Sequence, residues 1–177
     1  TLARLVQAFQ QRFTQAKLER GIVDFSDLEH MALEILATKE NGEWIPSNVA
    51  LEYRKKFKEV LVDEYQDTNM VQETILQLVT EEGEAAGNMF MVGDVKQSIY
   101  RFRLADPSIF LEKYESWSDL APDSPPEKPG RILLRENFRS RREVLDGANH
   151  VFRNIMSRSL GELCYDDAAA LRPGREL

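Results

Sequence analysis

Two adjacent carboxylates, Asp63 and Glu64, follow directly after three β-prone apolar residues, Val60-Leu61-Val62. The run predicts a short buried strand that ends in paired acids. There an aspartate can hold a magnesium ion, directly or through its water, and the neighbouring glutamate can orient and deprotonate the water that attacks a γ-phosphate. The chemistry on offer is phosphoryl transfer. Because an ordinary strand can also meet a solvated turn through Asp-Glu, the run needs support from the rest of the chain.

A second run, residues 93–103, follows another predicted strand. It places an uncharged amide, Gln97, near the nucleotide edge and then alternates aromatic with basic side chains, from Tyr100 to Arg103. The alternation suits single-stranded nucleic acid, because aromatic rings stack on bases while guanidinium groups contact phosphates. The alternative, that Tyr100 and Phe102 are core residues of a short helix, stays open at this point.

A third run, residues 133–141, places Arg139 between a predicted strand and a predicted helix. An arginine in such a position can deliver a positive charge into the phosphate site of a neighbouring domain. Surface arginines near helix starts are common, although the helix macrodipole slightly disfavours a cation there. The placement therefore suggests a function without establishing one.

The elements that must position these residues follow from hydrophobic periodicity and capping signals. Helices are predicted over 2–19, from about 24 to 36, over 47–57, from 68 towards a loop at 83–87, over 106–117, and after a capping box at 140–143. Four of them have a predicted apolar face: Leu2, Leu5, Val6, Phe9, Phe13 and Ala16 in the first; Phe25, Leu28, Ala32, Ile35 and Leu36 in the second; Val71, Ile75, Leu78 and Val79 in the fourth; and Val144, Leu145, Ala148, Val151, Phe152, Ile155 and Met156 in the last. Strands are predicted over 58–62, 88–92 and 131–135, with loop over 39–46. Apolar strands indicate helices on both faces, and the strand, helix, strand order is typical of doubly wound α/β folds. In such folds ligands bind beyond the carboxyl ends of the strands.

Composition bounds the class of protein. The chain has 177 residues, 42% hydrophobic and 30% charged, with a net charge of −7, which predicts a globular protein that does not coat nucleic acid by charge alone. One cysteine and two histidines exclude an internal disulfide and leave no plausible zinc set. The absence of a bilayer-length apolar run and of a signal peptide predicts a cytoplasmic location.

Three stretches, in this order and spacing, resemble motifs II, III and IV of superfamily 1 DNA helicases of the UvrD/Rep/PcrA type. They are Asp63-Glu64-Tyr65-Gln66-Asp67, Gln97-Ser98-Ile99-Tyr100-Arg101-Phe102-Arg103 and Asn137-Phe138-Arg139-Ser140. Residues 24–28 resemble a further family segment that precedes motif II. Within the family, the residues at 24–30, 93–103 and 165–167 are most similar to the AddA branch, the helicase-nuclease subunits of bacterial AddAB double-strand-break repair complexes.

The resemblance implies ATP and Mg²⁺ as cofactors and gives each matched residue a role. Asp63 would help bind Mg²⁺, and Glu64 would activate the attacking water. Gln97 would sense the γ-phosphate and couple it to DNA. Phe138 matches an aromatic residue that stacks on adenine, and Arg139 matches the arginine that reaches the γ-phosphate across the cleft between two RecA-like domains.

The same resemblance implies partners and a fold. Tyr100, Phe102 and Arg103 match positions near bound single-stranded DNA, with Phe102 as the base-stacking residue and Arg103 supporting it. The implied protein partner is an AddB-like subunit. The implied fold is a RecA-like parallel sheet of the P-loop NTPase type with flanking helices, here incomplete.

None of the nine glycines is followed by lysine, so the phosphate loop that wraps the β- and γ-phosphates is missing. We therefore expect an internal fragment of a larger helicase-nuclease that binds ATP poorly and is inactive alone. Residues 1–120 would end the first RecA-like domain, 121–130 would form a proline-rich linker, and 131–177 would begin the second domain. The alternatives are a UvrD-type repair helicase without a nuclease and a non-catalytic scaffold that keeps the helicase fold.

Overall fold

The computed structural model describes residues 1–40, 42–81, 87–121, 129–161 and 163–174. Its helices are α1 (Leu2–Arg20), α2 (Phe25–Leu36), α3 (Asn48–Lys56), α4 (Met70–Val79), α5 (Pro107–Ser116), α6 (Arg142–Ile155) and α7 (Arg158–Gly161). Its strands are β1 (Ala37–Glu40), β2 (Glu43–Pro46), β3 (Val60–Val62), β4 (Met89–Met91), β5 (Ser118–Asp119), β6 (Gly130–Arg131), β7 (Glu136–Asn137) and β8 (Arg172–Pro173). Of the helices in the described residues, none has the length and apolar character needed to cross a membrane.

The chain divides into two compact units. Unit 1 comprises Thr1–Leu61, Asn69–Glu82 and Asn88–Phe90, and unit 2 comprises Val62–Thr68, Gly83–Gly87 and Met91–Leu177. The loop expected at 83–87 and the proline-rich linker expected at 121–130 fall largely on residues 82–86 and 122–128, which lie outside the described residues. The division into parts of two RecA-like domains stays a prediction.

In unit 1 the predicted helix over residues 2–19 is confirmed as α1. It ends at Gly21, whose φ of 63° lies in the left-handed region that glycine adopts without a Cβ clash. None of its residues is buried, so the apolar face that the periodicity predicts is exposed. Leu2, Leu5, Val6, Phe9 and Phe13 of that face are exposed, and Ala16 is half-buried.

The core of unit 1 forms where α2 packs against α3 and α4. Its buried residues are Leu33, Leu36, Ala37, Ala50, Leu78 and Val79. Val71 and Ile75 pack against this cluster, so the predicted inner face of α4 is confirmed. The predicted face of α2 is partly wrong, because Phe25, Leu28 and Ile35 are exposed.

Residues 39–40 and 43–46 lie in the two strands of a β-hairpin, so the prediction of a loop there is wrong. β1 and β2 pair antiparallel from Ala37 opposite Pro46 to Glu40 opposite Glu43. Gly42, with φ 93°, lies in the turn, in a conformation that other residues rarely adopt. The strands are too short for alternation to separate them from loop, although Thr38, Trp44 and Ile45 are β-prone.

Lys17 of α1 is held by two carboxylates at the start of α2. Its Nζ lies 2.6 Å from Asp27 Oδ2 and 3.0 Å from Asp24 Oδ2. Asp24 and Asp27 also form a capping box, each side chain accepting the backbone N–H of the other residue. The hydrogen bond from Lys17 lowers the pKa of Asp27, the backbone N–H of Asp27 lowers the pKa of Asp24, and the hydrogen bond to Asp27 raises the pKa of Lys17.

We expect this cluster to make stability depend on acid pH. Because both aspartate pKa values fall below their ordinary 3.8, the contribution is fully present above that value and is lost as pH falls through the lowered pKa values. The raised lysine pKa adds stability that is lost only in strong alkali. Denaturant unfolding followed by circular dichroism at pH 6 and pH 3 should show a smaller acid loss in Lys17→Met than in wild type. An identical loss in both proteins would contradict the assignment.

The two strands predicted over 58–62 and 88–92 are confirmed as β3 and β4, which pair with each other. Val60 N–H donates to Asn88 O in unit 1, and Val92 N–H donates to Val62 O in unit 2. The partners advance together along both strands, so the pair is parallel. The prediction that both faces of these strands are buried is wrong, because Leu61 is 69% exposed and Phe90 is 57% exposed.

In unit 2 the predicted helix at 106–117 is confirmed as α5. The Asp106 side chain accepts the Ser108 N–H, and Pro107 occupies the first helical position. α5 packs against two 3-10 turns, Tyr65–Asp67 and Val95–Gln97. These contacts support the ends of β3 and β4 that belong to unit 2.

The predicted strand at 131–135 is mostly wrong. Only Gly130–Arg131 pairs, in parallel with Ser118–Asp119, and the next regular residues are Glu136–Asn137, which pair in parallel with Arg172–Pro173. Ile132 and Leu134 are exposed. The apolar run Ile132-Leu133-Leu134 therefore forms no strand within the described part of unit 2.

The predicted helix after residue 140 is confirmed as α6, but its start differs from the predicted capping box at Ser140 and Glu143. Arg141 is the N-cap and makes no side-chain cap hydrogen bond. Instead Asn137 Oδ1 accepts the N–H groups of Arg139 at 3.0 Å and Ser140 at 2.8 Å. Asparagine therefore holds the turn that precedes the helix.

Buried Asn149 anchors α6 to the last described segment. Its Oδ1 accepts the Tyr165 hydroxyl at 2.7 Å and the Leu171 N–H at 2.9 Å, and its Nδ2 donates to Leu171 O. Of the predicted inner face only Leu145 is buried. Val144, Val151 and Ile155 are exposed, contrary to the prediction.

The mixed α/β class is confirmed. Within the described residues the strands form four separate two-stranded sheets, three of them with parallel strands and the β1–β2 hairpin antiparallel. The single sheet of a RecA-like domain therefore stays a prediction.

Candidate functional site

The first site element is a sharp turn at the end of β3. Glu64 adopts φ 51° and ψ 39°, a left-handed conformation that is uncommon for a residue with a Cβ. Its N–H donates to Asp63 Oδ1 at 2.9 Å, and Asp67 N–H closes the following 3-10 turn on Glu64 O. Asp63 and Glu64 are exposed, while Tyr65 beneath them is buried. The turn therefore presents both carboxylates to solvent from a fixed base.

Gln66 lies beneath the carboxylates and is 1% exposed. Its Nε2 donates to Glu64 Oε2 at 2.7 Å, and its Oε1 accepts the backbone N–H of Asp94 at 2.9 Å. The buried amide thus satisfies two hydrogen bonds at opposite ends. It joins the turn after β3 to the turn after β4.

Gln97 enters the same network from the second run. Asp94 caps the Val95–Gln97 turn, and its Oδ2 accepts Gln97 Nε2 at 3.1 Å. Lys96 Nζ lies 2.8 Å from Asp94 Oδ1. The structure therefore brings Glu64 and Gln97 together through two intermediates, Gln66 and Asp94, as expected for motifs at one sheet edge.

Tyr100, Phe102 and Arg103 form an exposed cluster, so the alternative that the two aromatics are core residues is wrong. Phe102 is 77% exposed, and its ring centroid lies 6.0 Å from that of Tyr100. The Arg103 guanidinium carbon lies 5.5 Å from the Tyr100 centroid and 5.6 Å from the Phe102 centroid. One cation over two exposed rings offers both stacking and charge to a nucleic acid.

Phe138 and Arg139 occupy the turn before α6. Phe138 is 61% exposed and lies against the backbone of Gly174, where a Cβ would fall 2.5 Å from its ring. Arg139 is exposed, and within the described residues its guanidinium makes no hydrogen bond or ion pair. Neither side chain joins the Glu64 network in the described part of the chain. The structure therefore leaves these two predicted residues apart from Glu64 and Gln97.

A magnesium ion would rely on few protein ligands here. The described residues contain no group of three or more histidine, cysteine, aspartate or glutamate side chains able to hold a metal. Magnesium is commonly held by one or two carboxylates together with phosphate oxygens and water. Asp63, exposed beside Glu64, fits that kind of donor set.

Two members of the network, Gln66 and Asp94, were not among the site residues that the sequence indicated. The motifs contain both, but only the fold shows that the glutamine turns inward and meets a backbone N–H 28 positions away. The buried Oδ1 of the neighbouring Asp67 has no hydrogen-bond partner among the described residues.

The chain has many relatives. Residues 1–118 match the family model described as the UvrD/REP helicase N-terminal domain. A protein of Lysinibacillus sphaericus, named as one subunit of an ATP-dependent helicase/nuclease, is 58% identical over 98% of this chain. Proteins of the same name from Geobacillus thermodenitrificans and Listeria monocytogenes are 58% and 55% identical over 99% and 98% of it.

The matches cover only part of those relatives. The chain spans 14% of the Lysinibacillus and Geobacillus proteins and 13% of the Listeria protein. The family model, by contrast, covers well over half of this chain. The chain belongs to the UvrD/REP helicase family.

Proposed function

We propose that this chain is an internal part of one subunit of an ATP-dependent DNA helicase and nuclease, carrying motifs II, III and IV. The parent would couple ATP hydrolysis to movement along single-stranded DNA during double-strand-break repair. The observation that carries the proposal is the hydrogen-bonded path from Glu64 through Gln66 and Asp94 to Gln97. It links a candidate hydrolytic base to the residue that precedes an exposed aromatic and basic cluster.

The residues near the phosphates have distinct tasks in this proposal. Asp63 binds Mg²⁺, which when bound neutralises charge on the phosphate oxygens. Glu64 orients the attacking water and accepts its proton, a role that its solvent-facing carboxylate suits. Gln97 contacts the γ-phosphate. When hydrolysis breaks this contact, Gln97 would shift, and residues 98–103 would transmit the shift to the bound DNA strand.

Motif IV supplies the remaining contacts. Phe138 stacks on adenine, and Arg139 reaches the γ-phosphate when two RecA-like domains close on ATP. Residues 1–120 would end the first of these domains and residues 131–177 would begin the second, joined by the proline-rich segment. This arrangement accounts for an arginine that has no partner among the described residues.

The wider assignments also belong to this proposal. The names of the relatives support a nuclease in the parent and a partner protein, for which an AddB-like subunit is the candidate. Single-stranded DNA from broken ends is the proposed substrate. Without a phosphate loop in this sequence, the isolated chain is proposed to be inactive and to bind ATP weakly.

Phe102 provides a specific test of the DNA contact. We expect Phe102→Ala in the full-length parent to weaken single-stranded DNA binding about tenfold, because one aromatic stack is worth roughly 1–3 kcal/mol. Fluorescence anisotropy with a labelled oligonucleotide measures the change. Phe9→Ala, which removes another exposed phenylalanine, serves as the control. Equal binding by the two variants would contradict the DNA contact.

The main alternative is a scaffold that keeps the helicase fold without catalysis. The Glu64 to Gln97 path argues against it, since a scaffold needs no connection between these exposed groups. The deciding experiment measures ATP hydrolysis by the full-length parent with and without single-stranded DNA. We expect strong stimulation by DNA, and a parent with no DNA-stimulated hydrolysis would overturn the proposed function.

A further inference from the structure

We infer that Gln66 is a positioning residue that fixes the Glu64 carboxylate and couples it to Gln97 through Asp94. The inference rests on the proposed function and extends it to a residue that the motif roles above leave unassigned. It depends on the juxtaposition of a buried side-chain amide with an exposed carboxylate on one side and a backbone N–H on the other.

The orientation of the Gln66 amide follows from its surroundings. A backbone N–H can only donate, so the amide oxygen must face Asp94 N, at 2.9 Å. The NH₂ group then has to point the opposite way, where Glu64 Oε2 accepts it at 2.7 Å. The backbone N–H of Asp94 therefore determines that the NH₂ group of Gln66, and not its oxygen, faces Glu64.

The backbone around Gly93 protects this geometry. A Cβ at residue 93 would lie 2.7 Å from Gln66 Oε1 and 3.0 Å from Phe110 on α5. Only glycine lets the β4 turn approach the amide this closely. The space around Gln66 is thus matched to an amide in one orientation.

A purely structural role does not explain the Glu64 end of the amide. Pinning the two turns together needs only the bond to Asp94, and an exposed carboxylate is already satisfied by water. The second bond instead removes rotational freedom from Glu64, which a free glutamate would keep. A base held in one rotamer meets its water at lower entropic cost, which is how positioning raises a rate.

Asp94 gives the network its second branch. Its backbone N–H binds Gln66, while its carboxylate accepts Gln97 Nε2 at 3.1 Å and pairs with Lys96. A shift of Gln97 therefore moves the group that orients Gln66. Through these hydrogen bonds, the gain or loss of the contact between Gln97 and the γ-phosphate changes the orientation of the Glu64 carboxylate.

The test compares three variants of the full-length parent, in complex with its partner subunit, with the wild-type complex. Gln66→Met keeps the side-chain length and removes both hydrogen bonds. Gln72→Met is the matched control, because Gln72 also makes two side-chain hydrogen bonds, to Glu29 and to the Asn69 N–H. Glu64→Gln tests the proposed function itself. DNA-stimulated kcat and the KM for ATP are measured per folded enzyme, with thermal midpoints recorded alongside.

We expect Gln66→Met to lower kcat about tenfold to a hundredfold while the KM for ATP changes less than about threefold. Gln72→Met should lower the thermal midpoint and leave kcat near wild type. An unchanged kcat in Gln66→Met, or an equal loss in both glutamine variants, would overturn the inference. Normal hydrolysis by Glu64→Gln would instead overturn the proposed function.

If Gln66→Met does not fold, Gln66→Asn decides the question. Its amide keeps the donor and the acceptor of glutamine but is one methylene shorter, so it cannot reach both Asp94 N and Glu64 Oε2. We expect the same fall in kcat with little change in KM. Wild-type kcat in this variant would show that the bridge from Asp94 to Glu64 has no positioning role.

Discussion

Replacing Glu64 with glutamine should lower DNA-stimulated ATP hydrolysis by the full-length parent about a thousandfold. A general base contributes roughly 10²–10⁴ to a rate, and an amide cannot accept the proton of the attacking water. The substitution keeps the side-chain length and an oxygen that can still accept Gln66 Nε2, so the turn after β3 should be preserved. Steady-state hydrolysis with saturating single-stranded DNA measures the loss.

Nucleotide binding separates this result from misfolding. Glu64→Gln should bind a labelled ATP analogue with an affinity close to wild type, because Asp63 and Gln97 are unchanged. Glu59→Gln, at a nearby carboxylate outside the hydrogen-bonded network, should keep full activity. Hydrolysis that survives Glu64→Gln would remove this residue from the mechanism.

Arg139→Ala should produce a loss of similar size, about a thousandfold in kcat. An arginine that stabilises the charge of a transferring phosphoryl group contributes roughly 10³–10⁵. Asn137 Oδ1 accepts the N–H groups of Arg139 and Ser140, which fixes the backbone of Arg139. The Arg139 guanidinium has no partner within the described residues. Removing the side chain should therefore leave the fold intact. Single-turnover hydrolysis with DNA present measures the effect.

Arg142→Ala is the matched control for Arg139→Ala. Arg142 is also exposed and lies at the first position of α6, so its loss removes the same charge from the same region. We expect hydrolysis close to wild type. If both variants lose activity equally, the loss comes from a general effect of positive charge and not from a specific contact made by Arg139.

Local signals were the most predictable part of this fold. Asp24 and Asp106 begin helices because a short polar side chain can bind the N–H groups of the next turn, and that needs no distant partner. The motif residues were proposed from their resemblance to family motifs in order and spacing along the chain, which also needs no distant contact, and their roles stay predictions.

Distant contacts were the least predictable part. Periodicity indicated helices α1 and α6 but did not reveal what would cover their apolar faces, and most of those residues are exposed. Gln66 was missed because its hydrogen bonds depend on the turn after β4, where Gly93 and Asp94 approach its side chain. The hairpin at residues 37–46 was missed because four-residue strands give too little alternation.

The backbone conformation of Glu64 is strained, and selection for the proposed activity would have to keep a glutamate there despite that strain. A left-handed φ of 51° disfavours any residue with a Cβ, and glycine would occupy it with less strain. Glu64→Gly would relieve this backbone strain, while glycine's greater freedom in the unfolded chain and the loss of the carboxylate that accepts Gln66 Nε2 would both reduce the gain in stability. At this one position, the proposed hydrolysis would favour glutamate, whereas the backbone conformation would favour glycine.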